Sequence, residues 1–267
     1  MQPDAAILLA VNETISAPLF AGSLFLGMLL VLELGRRIGI RRLRRNGTSG
    51  GSGPVEGAIF ALFGLLVAFT FSGAASRFDM RRGLVADEAN DIGTAYLRLD
   101  LLSAADRSDL RQMFREYLDS RLEVYRRMPD LEAAFAELNR SAGLQQNIWT
   151  RGVSATRNAE AHPNAAMLLL PALNAMFDIT TTRTMAARSH PPLVIYWLLF
   201  LLGLGCALLA GHAMAGMKTR NWFHAAGFAA FVSVVVFVIV DLEYPRMGLI
   251  NLGAYDQVLV DLRDSMK

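Results

Sequence analysis

The residues able to do chemistry are few and scattered. Four histidines, His162, His190, His212 and His224, stand far apart in a chain of 267 residues, and none has the spacing of a metal-binding helix or loop. Structural or interfacial histidines are therefore expected, with no metal and no cofactor. Gly50, Gly51 and Gly53 precede neither a strand nor a Gly-Lys-Ser/Thr end, so no phosphate loop is read there. The carboxylates Asp87, Glu88 and Asp91 share one stretch with several arginines. Ion pairing describes them better than a general acid and base. Cys206, the single cysteine, can form no disulfide within the chain. No catalytic constellation emerges, and an enzyme is not expected.

The elements that must position these residues are mostly apolar helices. Hydrophobic residues make up 53% of the chain and mean hydropathy is +0.33, values that point to a membrane protein. The net charge is only +2, and the basic residues are local, which argues against nucleic acid as a partner. Four stretches are long and apolar enough to cross a bilayer: Ala17–Leu34, Val55–Ala75, Leu193–Ala213 and Trp222 to about Val240. The segment Met1–Ile15 has no Lys or Arg, so the first run reads as a retained anchor and not a signal peptide.

The expected organisation has six parts. Residues 1–35 hold the N-terminal segment and first span, and 36–54 a basic loop with the flexible linker Asn46–Pro54. Residues 55–102 form the second span with an amphipathic extension, because no helix breaker separates the apolar half from the stripe Phe78, Val85, Ala89, Ile92, Tyr96 and Leu99. Arg77, Arg81, Glu88 and Asp91 are placed on another face of that extension. Residues 103–191 form a charged helical region, 192–242 the third and fourth spans, and 243–267 a tail. Close helix approach is expected at Gly203, Gly205, Cys206 and Gly211 of the third span.

Between Ser76 and Pro191, 15 basic and 15 acidic residues balance. Ser103 with Asp106 is a capping-box variant opening a helix to about Met128, with Leu110, Met113, Tyr117 and Val124 inside and the pairs Arg115–Asp119 and Glu123–Arg127 outside. Pro129-Asp130 interrupts it. A helix from Leu131 to about Asn158 is expected to bury Leu131, Phe135, Leu138, Gln145 and Trp149. Asn164–Arg188, with Pro171 inside, reads as a helix lying on the membrane or packed on the long central helix. Asn174, Asp178 and Arg183 are its structural polar contacts.

Six arginines within ten residues, Arg36 to Arg45, mark a cytoplasmic end facing anionic lipid headgroups. With Lys218 and Arg220 they place these loops inside and both termini, with the helical region, on the outer side of the membrane. A bacterial inner membrane is the expected location. In the second span Phe63, Thr70 and Arg77 recur every seven residues. In a symmetric homo-oligomer Phe63 and Leu66 would form an apolar constriction, Thr70 a hydroxyl contact, and Arg77 with Arg81 a positive mouth for chloride or another small anion.

Glu56 to Leu102, EGAIFALFGLLVAFTFSGAASRFDMRRGLVADEANDIGTAYLRLDLL, resembles the bestrophin-like family of bacterial and plant membrane proteins. So do LPALNAMFDITTTR (Leu170–Arg183) and DLEYPRMG (Asp241–Gly248). With the order of hydrophobic segments the likeness spans nearly the whole chain. It implies an all-α integral membrane protein, remotely similar to bestrophins, which are oligomeric anion channels. Glu243, Pro245 and Gly248 look like the Glu-x-Pro-Phe-Gly stretch after the last bestrophin span. Here the spacing is one residue longer, the phenylalanine is missing, and the acidic run needed for calcium does not follow. The resemblance implies a cytosolic helical region, whereas the charges place it outside. The other reading of function is a non-conducting membrane scaffold or sensor whose aqueous helices bind a partner.

Overall fold

A computed structural model describes residues 16–46, 53–127, 130–216, 222–245, 248–250 and 252–266. Met1–Ile15, most of the Asn46–Pro54 linker, the Met128-Pro129 break, the Lys218–Arg220 connection, and Arg246 and Met247 lie outside the described residues. All regular structure among the described residues is helical: α1 Ala17–Asn46, α2 Gly53–Arg98, α3 Ala104–Arg126, α4 Leu131–Ala155, α5 Ala165–Arg188, α6 Leu193–Ala213, α7 Trp222–Glu243 and α8 Gln257–Ser265. Four stretches are long and apolar enough to cross a membrane, in α1, α2, α5–α6 and α7.

The chain divides into two compact units, Met1–Ser76 with His190–Tyr244, and Arg77–Ser189 with Pro245–Lys267. The first unit holds the apolar helices. Its core joins Leu24, Met28 and Leu32 of α1 to Tyr196 and Ala207 of α6 and to Ala229, Val236 and Val240 of α7. α1 and α6 meet backbone to backbone, because a Cβ on Gly35 would overlap the Leu208 carbonyl and one on Gly211 the Leu32 carbonyl. Gly205, by contrast, faces open space within the protomer. α1 does not stop at Leu34 but continues through all six arginines to Asn46. Arg36 and Arg37 pair back to Glu33, and Gly39 fits against His212 and Ala215 of the α6 end.

The second unit is a helical bundle around the continuation of α2. Val85, Ala89, Ile92, Tyr96 and Leu99 are buried with Leu110, Phe114, Tyr117 and Leu118 of α3, Ile148 of α4, and Leu169, Leu173 and Met176 of α5. The Ser103 hydroxyl accepts from the Asp106 amide at 3.3 Å and donates to the Asp106 carboxylate at 2.8 Å, which caps α3.

α4 turns one position away from the expected face. Its buried seam is Ala134, Ser141, Ile148, Gly152 and Ala155, while Phe135, Leu138, Gln145 and Trp149 flank it half-buried. All but Ile148 are small there, because α3 comes near enough for Ser120 and Ser141 to share a hydrogen bond at 2.8 Å and a Cβ on Gly152 would meet Leu173 of α5. A large residue there would hold the helices apart. The Arg115–Asp119 pair expected on α3 is replaced, because Arg263 of α8 takes Asp119 through two hydrogen bonds of 2.7 and 3.0 Å.

Candidate functional site

Glu88 sits on α2 three positions after Val85 and four before Ile92, beside Ala89, all of them buried, so its carboxylate turns inward and is fully buried. A bare carboxylate there would be untenable. Arg121 of α3 donates from Nε to Glu88 Oε1 at 2.5 Å, and Arg183 of α5 donates from Nη1 to Oε2. Both guanidiniums are themselves buried. Tyr125 closes the group. Its hydroxyl accepts from Arg121 Nη2 at 2.6 Å and lies 3.4 Å from Glu88 Oε2, and the Arg183 guanidinium stacks on its ring at 4.4 Å. Two helices, α3 and α5, are thus tied to α2 at one carboxylate, with two cations against one anion among the described residues.

Arg81, expected in a positive mouth, is buried and donates to the carbonyl oxygens of Ala186 and Ser189 at 3.0 and 2.9 Å. Those carbonyls stand at the C-terminal end of α5, where a cation is favoured, and the Ala186 oxygen also accepts from the Ser189 amide at 3.3 Å. Arg77 is half-buried. Asn174 and Asp178, expected to fasten α5, lie on its exposed side, and the buried side carries Leu169, Leu173, Met176, Ile179 and Arg183 instead. Of the polar residues singled out on this helix, Arg183 is the one tied to α2.

Asp91 stands half-buried beside Asp87, and burial first, then the Asp87 charge, push its carboxyl above the ordinary range. Asp106 goes the other way. Hydrogen bonds from Asn158 and Ser103, and the Arg151 guanidinium at 3.1 Å, hold it below that range.

In the apolar unit, Phe63 is buried against Leu199 and Cys206, with Leu66 packed beside them. The Thr70 hydroxyl donates back to the carbonyls of Leu66 and Val67 at 2.8 and 3.0 Å. Of the seven-residue repeat, Phe63 thus meets its own protomer's third span. The open side carries Leu62, Leu65 and Phe69, each more than half exposed. Glu243, fully buried at the end of α7, lies 3.6 Å from His190 Nδ1, and the His190 ring stacks on Tyr244 at 4.6 Å. Pro245 is buried and its carbonyl accepts from the Leu252 amide at 3.2 Å, while Gly248 is exposed. Among the described residues no group of His, Cys, Asp and Glu is placed to hold a metal ion.

The sequence singles out Glu88 as ion-paired and Arg183 as a structural contact, but it neither joins them nor points to Arg121, because each looks like a surface charge on an amphipathic helix. The available signal was that Glu88 interrupts the apolar stripe between Val85 and Ala89.

Four apolar helices, the second running on into a helical bundle, define an all-α integral membrane protein. The fold is similar to a crystal structure of a variant of a bacterial bestrophin homologue from Klebsiella pneumoniae, with TM-score 0.69 and 14% identity over 89% of this chain and 98% of that one. It is also similar to a variant of a membrane protein, with TM-score 0.66 and 14% identity over 90% of this chain and 99% of that one. At such identity the likeness is one of fold. The Bestrophin-like domain matches residues 8–253, and the chain belongs to the bestrophin-like family. No curated protein matches it.

Proposed function

We propose that the protein assembles as a homo-oligomer whose second spans surround an anion-conducting pore. The observation that supports this most is the exposure of α2. Only 11% of its membrane-crossing window is buried within the protomer, against 44% for α7. Lipid could cover large apolar side chains, but α2 also leaves Gly57, Ala61, Gly64 and Ala68 exposed along one side. Gly57 and Gly64 have nothing within 4 Å of where a Cβ would stand, whereas Gly35 and Gly211 are in backbone contact. Small residues that serve no packing inside a protomer suit close approach between protomers.

Leu62, Leu65 and Phe69 then take the role of an apolar constriction that gates by dewetting, in place of the Phe63 side. Arg77 is the basic residue at the end of the apolar stretch and supplies anion preference, with chloride as the simplest permeant ion. The Glu88 cluster holds the aqueous half of α2 to α3 and α5, so a rearrangement of that bundle is carried along the same helix. Membrane lipids cover the remaining apolar surface. The exposed arginines that end α1 face the cytoplasm, which leaves both termini outside, in a bacterial inner membrane. Chloride efflux from liposomes containing the purified oligomer tests conduction: efflux is expected, and chloride-tight vesicles containing folded oligomers would support the scaffold reading.

A further inference from the structure

The second unit contains a cavity of about 400 Å³ between the C-terminal half of α3 and the segment that follows Tyr244. That volume lies within the range of small-molecule sites. Leu122, Leu252 and Val260 supply apolar lining, and Tyr125, Arg126 and Asp256 supply polar groups. Tyr125 joins the cavity to the Glu88 cluster, where among the described residues one anion, Glu88, stands against two cations, Arg121 and Arg183. The Tyr125 hydroxyl lies 3.4 Å from Glu88 Oε2, a long contact, and the residue lines the cavity. Arg126 brings a further cation, in the lining itself. Its pairing with Glu123 at 3.1 Å involves a side chain that is 61% exposed, an arrangement that holds weakly and exchanges easily. Asp256 adds a negative charge to the lining, which disfavours a ligand carrying two carboxylates.

We propose that this cavity binds a small monocarboxylate with a compact apolar body. Arg126 and the Tyr125 hydroxyl receive the carboxylate, and Leu122, Leu252 and Val260 cover the body. The site does not depend on conduction, so it stands or falls separately from the channel reading. Its ligand takes up the hydroxyl that also touches Glu88 of α2.

The test is calorimetric titration of the full-length oligomer in detergent with sodium benzoate, beside benzyl alcohol and benzylammonium as probes of similar shape. Benzoate is expected to saturate at one site per protomer, with benzyl alcohol weaker by about tenfold or more and benzylammonium weaker still. Tyr125→Phe and Arg126→Gln should each weaken benzoate by about tenfold. Leu122→Trp, which fills the cavity, should abolish binding in a protein that still elutes as the native oligomer. If that variant does not fold, the two polar substitutions decide. Absence of benzoate binding, equal binding by the charged and neutral probes, or unchanged affinity in both polar variants would overturn the assignment.

Discussion

Glu88 and Arg183 stand 95 positions apart and meet inside the helical unit, the carboxylate on α2 and the guanidinium on α5. Arg121 holds the other carboxylate oxygen. Removing the anion takes from two buried cations the carboxylate they share, and breaking such a pair costs about 3–5 kcal/mol. Glu88→Gln is expected to lower the unfolding temperature sharply, and adding Arg183→Met should restore part of the loss. Denaturation of both variants checks this, and strictly additive losses would contradict the shared cluster.

Arg81 is expected to matter for folding and not for selectivity. Its two bonds to carbonyls at the α5 end are charge-assisted, and Arg81→Gln should cost about 2–3 kcal/mol with the reversal potential of any current unchanged. Thermal unfolding and bilayer recording on the same preparation separate the two effects.

Asp106 and Asp91 give opposite pH signatures. The lowered Asp106 carboxyl contributes stability that is complete above its unfolded value, near 4, and is lost as pH falls through its folded value. Asn158→Ala should therefore lower stability at neutral pH and flatten the acid limb of the profile. The raised Asp91 carboxyl favours the folded state while protonated, and its ionisation opposes folding as pH rises through the folded value. Asp91→Asn should modestly raise the unfolding temperature at pH 7. Melting curves taken between pH 3 and 7 read both.

Glycines in different spans should respond differently to alanine. Gly211→Ala forces a Cβ into the Leu32 carbonyl and should destabilise the protomer, whereas Gly64→Ala has room and should leave its unfolding temperature unchanged. Because Gly64 is assigned to contacts between protomers, Gly64→Leu is expected to weaken the oligomer. Cross-linking and mass measurement of the detergent complex check this outcome.

The spans and the unbroken passage of α2 from apolar to amphipathic sequence were legible because both rest on length and periodicity. The stripe Val85–Ala89–Ile92–Tyr96–Leu99 is the buried face of that helix. Periodicity identifies a face without saying what covers it, which is why Phe63 and Thr70 were assigned to an axis although Phe63 packs on its own third span. The same limit applies to charge. Arg81 and Asp87 are equally polar in sequence, yet one is buried under the α5 terminus and the other is exposed. α4 was displaced by one position because hydrophobic size was weighed over the small seam that close packing on α3 requires.

The central claim is best tested by recording purified oligomers in a planar bilayer under an asymmetric chloride gradient, with Arg77→Gln and Phe69→Ala alongside. A current reversing near the chloride potential, with Arg77→Gln shifting it and Phe69→Ala raising open conductance, is the predicted result. Reversal near the cation potential would contradict anion preference and turn attention to Asp79 and Asp87 on the exposed side of α2. No current from folded oligomers would contradict the pore itself.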